Sequence, residues 1–176
     1  MISGFSLLHL LFKGISFTFQ VKFTNHQSLT TDKMKFKVLI ADDNPTNVEL
    51  MEAFLADCDY QIAVAVDGQD TLDKTRQFKP DLILLDIMMP KLSGFEVCEK
   101  LKSDPKTKDI MILMVTALAE LGDIERAVMA GCDDYLSKPV SKHELLKRVE
   151  NMLKLRSVSD ELERLRRYID QMETES

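Results

Sequence analysis

Short apolar runs recur along this chain, separated by helix-like stretches, and four of them stop at side chains suited to phosphoryl chemistry. Val38–Ala41 runs into Asp42 and Asp43, and Leu82–Leu85 runs into Asp86. Ile110–Val115 ends at Thr116, and the run through Tyr135 and Leu136 delivers Lys138 just before Pro139. Gln61–Val66, closed by Asp67 and Gly68, reads as a further strand. Continuous apolar runs of this length, alternating with amphipathic segments, are the pattern of a parallel sheet covered on both faces. In such a sheet three carboxylates, a hydroxyl and an ammonium gather at the carboxyl edge. Carboxylates crowded together repel by roughly 4 kcal/mol per pair at an effective dielectric of about 20. A cation belongs among them, and Mg²⁺ is the hard ion that prefers carboxylate, water and phosphate oxygens.

The intervening segments carry their own start and stop signals. Asn44 caps a helix whose first residue is Pro45, where a missing amide costs nothing, and Val48, Met51, Phe54 and Leu55 give it an apolar stripe. Leu72 to Phe78 supplies a second helix. Ser93 with Glu96 forms a capping box before Phe95, Cys98 and Leu101, and Ser103-Asp104-Pro105 ends that helix. Ile124, Ala127 and Val128 mark a fourth helix closed by Gly131, and Ser141 with Glu144 opens the fifth. The expected fold is α/β, a doubly wound (βα)5 unit with strand order 2-1-3-4-5. Ligands of such sheets sit where the strand order reverses. That point lies between the first and third strands, the two that end in Asp42-Asp43 and Asp86.

Composition narrows the function classes. The net charge of −6, with no basic stripe, argues against nucleic acid as a partner. The 3 cysteines, Cys58, Cys98 and Cys132, show no C-x-x-C spacing and read as unpaired thiols in a reducing, cytoplasmic setting. The histidines His9, His26 and His143 lack metal-ligand spacing, which argues against zinc.

The two ends differ from the middle. Residues 1–33 are rich in Phe and Leu, yet His9, Lys13 and Gln20 interrupt them as a membrane span, and they lack the layout of a signal peptide. Met34, followed by Lys35-Phe36-Lys37, reads as a natural start. The leader is then either an over-extended reading frame or an arm or interfacial anchor. Residues 34–156 form the expected domain. In 157–176 the last helix continues: Leu155, Val158, Leu162, Leu165, Ile169 and Met172 alternate steps of three and four, the spacing of a coiled-coil seam. Asp160 with Arg164 and Glu163 with Arg167 are candidate flanking pairs, and Ser157 and Ser159 a candidate break. The alternatives are a homodimer through this helix, a helix folded back on the domain, or a frayed tail.

Each site residue has an ordinary explanation when taken alone. An Asp-Asp pair after a strand is commonly turn chemistry or a cap. A Thr at a strand end is commonly structural, Tyr135 a half-buried strand aromatic, and Met88, Met89, Met111 and Met114 core or rim filler. Polar residues at four predicted strand ends are harder to obtain by accident. Within that group Asp86, alone at its strand end, is the natural nucleophile. Its partner carboxylates can hold Mg²⁺, Thr116 can donate to a phosphoryl oxygen, and Lys138 can place a point charge on another.

Over about Lys35 to Leu155 these residues resemble the receiver domain of two-component response regulators, a flavodoxin-like fold. The resemblance rests on Val38-Leu-Ile-Ala-Asp-Asp-Asn44, Leu84-Leu-Asp-Ile-Met-Met-Pro90 with Gly94, Val115-Thr-Ala117 and Asp134-Tyr-Leu-Ser-Lys-Pro139. It implies that Asp86 takes a phosphoryl group from the phosphohistidine of a sensor histidine kinase or phosphotransfer protein. It implies that Asp43, Asp86 and the backbone carbonyl of Met88 bind Mg²⁺, with Asp42 assisting through water. Thr116 and Tyr135 would be a switch pair, and Lys138-Pro139 a cis peptide. The output would be altered contact with a downstream protein, without turnover of an external substrate. Met88 and Leu118 are apolar where family members often carry polar side chains near the hydrolytic water, so a long-lived acyl phosphate is expected. No Gly-Gly-Asp-Glu-Phe output signature and no helix-turn-helix follows.

Three other readings stay open on residues alone. A haloacid-dehalogenase-type phosphatase shares the Asp, Mg²⁺, Thr and Lys chemistry, but it needs D-x-D-x-T on the first strand, where Asp42-Asp43-Asn44-Pro45 stands. A flavin binder of the flavodoxin type would need a Ser/Thr/Gly-rich phosphate loop after that strand, which is missing. A phosphate-independent interaction module is the third.

Overall fold

The computed structural model describes residues 36–117 and 121–174, with side chains as far as residue 166 except that of Leu121. The expected leader, residues 1–33, and Leu118 lie outside the described residues. Ten elements alternate: β1 (Lys37–Ala41), α1 (Pro45–Leu55), β2 (Gln61–Ala65), α2 (Gly68–Phe78), β3 (Leu82–Leu85), α3 (Gly94–Ser103), β4 (Met111–Thr116), α4 (Leu121–Met129), β5 (Asp134–Ser137) and α5 (Lys142–Thr174). The five strands pair in parallel in the order β2-β1-β3-β4-β5, as the apolar runs predict.

Alternation along each strand sends side chains to two separate cores. Val38, Ile40, Leu82, Leu84, Leu113 and Val115 pack with α1 and α5 through Met51, Leu55, Leu145 and Val149. Leu39, Ala41, Ile83, Leu85, Ile112 and Met114 pack on the other face with α2, α3 and α4 through Leu72, Phe95, Cys98 and Ala127. β1 and β3 lie at the centre, and Val38–Ala41 and Leu82–Leu85 are fully buried. The cysteines are free, and burial pushes the Cys98 thiol up to about 12, which leaves it inert as a nucleophile.

Helix ends follow local chemistry. Asn44 accepts from the Thr46 amide at 2.9 Å, and the Ser93–Glu96 capping box forms as read. α2 starts four residues earlier than its apolar pattern suggests, because the Asp67 side chain accepts from the Asp70 amide at 2.8 Å and caps it at Gly68. That start requires a glycine: a Cβ on Gly68 would stand 2.2 Å from the Leu92 carbonyl oxygen. At α5 the Glu144 carboxylate bonds Arg148, at 2.8 Å from Nη2. No break follows at Ser157 or Ser159, since the Ser157 hydroxyl donates back to the Lys154 carbonyl at 2.8 Å and α5 runs on unbroken. Asp160 pairs with Arg156 at 3.5 Å, one turn back from the partner expected. Ile169, Met172 and the Glu163–Arg167 pair involve side chains outside the described residues. Among the described residues no helix is long and apolar enough to cross a membrane.

Candidate functional site

The strand order sets β1 beside β3 at the reversal point, and Ala41 is level with Leu85 in the ladder. The next residues, Asp42 and Asp86, therefore leave the sheet side by side, and the Asp86 amide donates to the Ala41 carbonyl at 2.8 Å. One carboxylate oxygen from each of Asp42, Asp43 and Asp86 lies within 4.8 Å of the others. Asp42 and Asp86 are buried and Asp43 is exposed, so the cluster opens to solvent on one side. A tight, anionic, all-oxygen set of this kind fits Mg²⁺.

Lys138 reaches this cluster from β5. Its amide donates to the Thr116 carbonyl at 2.8 Å, and the Lys138–Pro139 peptide is cis. Its Nζ donates to Asp42 Oδ2 and to Asp86 Oδ1, both at 2.8 Å. One ammonium thus bridges two of the three carboxylates. Burial pulls the Lys138 pKa down, but the hydrogen bonds to Asp42 and Asp86 outweigh it and leave the ammonium above its ordinary value. The balance is opposite at Asp86. Burial raises its carboxyl, the Lys138 hydrogen bond offsets only part, and the Asp42 charge raises it further, so it stands above the usual carboxylate range.

Neighbouring groups hold these carboxylates in place. Asp42 accepts from the Asn44 amide at 2.9 Å and from Asn47 Nδ2 at 3.1 Å on each oxygen. Asp86 Oδ2 accepts from the Met88 amide at 3.0 Å, while the Met88 side chain is 64% exposed, outside the core. A Cβ on Gly94 would stand 2.3 Å from the Asp86 carbonyl oxygen, so glycine allows α3 to approach the loop. Asn47 and Gly94 were not assigned these roles by sequence reasoning. The Asn44-Pro45 cap was the available signal for Asn47, because it fixes the first turn of α1 beside the end of β1.

Thr116 is buried at the end of β4, and Tyr135 is half-exposed on β5. Together with Met114, Ile124 and Ala127 they line a small cavity beneath α4. The structure therefore brings Asp42, Asp43, Asp86 and Lys138 into one cluster, with Met88 attached through its amide and Thr116 joined to Lys138 through its carbonyl, while Tyr135 meets Thr116 at the cavity beneath α4.

Residues 38–150 match the response regulator receiver domain family. The chain is 40% identical over 129 residues to response regulator PleD of Caulobacter vibrioides, spanning 73% of this chain but only 28% of PleD. It is 37% identical over 120 residues to the polar-differentiation response regulator DivK of Brucella anthropi, spanning 68% of this chain and 98% of DivK. The receiver domain of a sensor histidine kinase from Pseudomonas aeruginosa, which holds a magnesium ion in its active site cleft, superposes with a TM-score of 0.64. That structure is 28% identical and is covered over 98% of its length, against 68% of this chain. The doubly wound sheet, the acidic cluster at its reversal point and a family match across most of the chain make this protein a member of the response regulator receiver domain family.

Proposed function

We propose that Asp86 accepts a phosphoryl group from the phosphohistidine of a sensor histidine kinase or phosphotransfer protein, and that the product switches contacts with a downstream protein. The observation that carries this reading is the cluster itself: three carboxylates around one point, with the Lys138 ammonium on two of them. A carboxylate oxygen of Asp86 bonds to phosphorus as the N–P bond breaks, its electron pair remaining on the imidazole. Mg²⁺ held by Asp43, Asp86 and the Met88 carbonyl, with Asp42 assisting through water, would neutralise charge on the transferring group. Lys138 orients Asp86 and stays to pair a phosphoryl oxygen, while Asn47 and the Asn44 amide fix Asp42. The Thr116 hydroxyl supplies a donor to the new phosphoryl group.

Phosphorylation places close to two negative charges where one stood. Drawing Thr116 toward them enlarges the cavity it shares with Tyr135, which favours an inward ring and a changed α4–β5 surface. Asp86 is modified rather than turned over, so the protein acts as a switch and not as an enzyme on a soluble substrate. Free thiols and a kinase donor both suit the cytoplasm.

Acetyl phosphate with Mg²⁺, followed by intact mass, tests this. Wild type should gain one phosphoryl group, and Asp86→Asn or a chelator should abolish the gain. An unmodified wild type, or a modified Asp86→Asn, would overturn the reading, and sustained turnover of a phosphomonoester would favour a phosphatase.

A further inference from the structure

Among the described side chains of α5 the last buried one is Leu153, yet the helix continues to Thr174, a further stretch of roughly 30 Å at about 1.5 Å per residue. Its polar side faces the domain. Arg156 donates to the Asp109 carbonyl at 2.7 Å, and Asp160 and Arg164 border a cleft with Lys37 and Asp81. Its apolar side is largely open to solvent: Leu155, at the edge of a groove with Met111 and Met152, and Val158, Leu162 and Leu165 are 63%, 54%, 56% and 58% exposed. An amphipathic surface helix normally does the reverse. A helix of this length gains little stability from its own hydrogen bonds, so an uncovered leucine stripe calls for a partner surface.

The pattern identifies that surface. With Leu155 and Leu162 at heptad position a, Val158 and Leu165 fall at d, and Ile169 and Met172 continue the repeat in sequence. Glu161 then occupies g, at the edge of the same cleft, and Arg166 the following e, and both are exposed. In a parallel, in-register pair each g residue meets the e residue of the next heptad across the seam. Glu161 of each copy therefore faces Arg166 of the other, twice by symmetry. An antiparallel pair sets g against g and e against e, which leaves Glu161 without that partner.

We propose that two copies of this chain associate through residues 155–172 as a parallel, in-register coiled coil, locked by reciprocal Glu161–Arg166 pairs. The seam residues lie on α5 and none belongs to the Asp86 cluster, so the association needs no phosphoryl group and does not depend on the chemistry proposed for Asp86.

Size-exclusion light scattering of the full chain, without phosphodonor, should give twice the 20.1 kDa protomer mass. Leu162→Glu with Leu165→Glu should give a monomer that still takes one phosphoryl group from acetyl phosphate; circular dichroism reports its folding independently of that reaction. Glu161→Arg alone and Arg166→Glu alone should each weaken the dimer about tenfold through like-charge contact. The double variant should restore it, and mixing the two single variants should yield a heterodimer. Leu155→Cys should cross-link between copies only in the parallel register. A monomeric wild type, a dimer that survives both glutamates, a double variant that stays weak, or no cross-link at residue 155 would each overturn the proposal.

Discussion

The Lys138 ammonium lies 2.8 Å from Asp86 Oδ1 across 52 residues of chain, and it meets Asp42 Oδ2 at the same distance. Two buried carboxylates at adjacent strand ends are tolerated because this one cation stands between them. Removing it leaves their repulsion uncompensated in a desolvated site. Lys138→Met should cost about 3 kcal/mol in urea unfolding without divalent ions. Mg²⁺ should recover part of that loss, because it supplies positive charge to the same oxygens. An unchanged midpoint in chelator would contradict the role given to Lys138.

The raised carboxyl of Asp86 makes a signed prediction. A folded-state value above the unfolded one means that the native state binds the proton more readily. Its stabilising contribution is therefore present at low pH and is lost as pH rises from the ordinary carboxylate value through the raised one. In chelator, Asp86→Asn should be more stable than wild type at pH 7, with the difference narrowing on acidification toward about pH 4. Parallel stability curves for the two proteins would contradict it.

Gly94 and Gly122 should respond differently to the same substitution. A Cβ at Gly94 meets the Asp86 carbonyl oxygen at 2.3 Å, whereas one at Gly122 meets nothing within 4 Å. Gly94→Ala should lose about 1–3 kcal/mol and slow modification of Asp86, because α3 must move away from the loop. Gly122→Ala, in the first turn of α4, should be neutral or gain up to about 1 kcal/mol. Denaturant midpoints and phosphorylation time courses of the pair check both.

Met88 presents an exposed thioether chain two residues beyond Asp86 and offers no group to orient an attacking water. The acyl phosphate of wild type should decay over minutes or longer. Met88→Asn should shorten that lifetime several-fold by adding a donor and acceptor at the site mouth. Following the phosphorylated mass after donor removal measures it, and decay within seconds in wild type would count against the assignment.

What could be read from the residues were the features set by near neighbours. Val38–Ala41 and Leu82–Leu85 announce buried parallel strands because every side chain in them is apolar, and Asp42, Asp86, Thr116 and Lys138 mark their ends because a polar residue interrupts the run. The expected strand order agreed with the acidic ends, which fall on the two strands that flank its reversal point. The contacts between distant residues were not legible. That Lys138 divides its hydrogen bonds between Asp42 and Asp86, that Asn47 turns back onto Asp42, and that Gly94 admits α3 depend on side-chain directions and backbone approach after the sheet has assembled. The seam of α5 shows the same division. Its three-and-four spacing is written in the chain, because helical periodicity relates residues a few positions apart. Which way that stripe points became clear only from Arg156 against Asp109 and the leucines turned to solvent, since a helix faces whatever the packed domain leaves open to it.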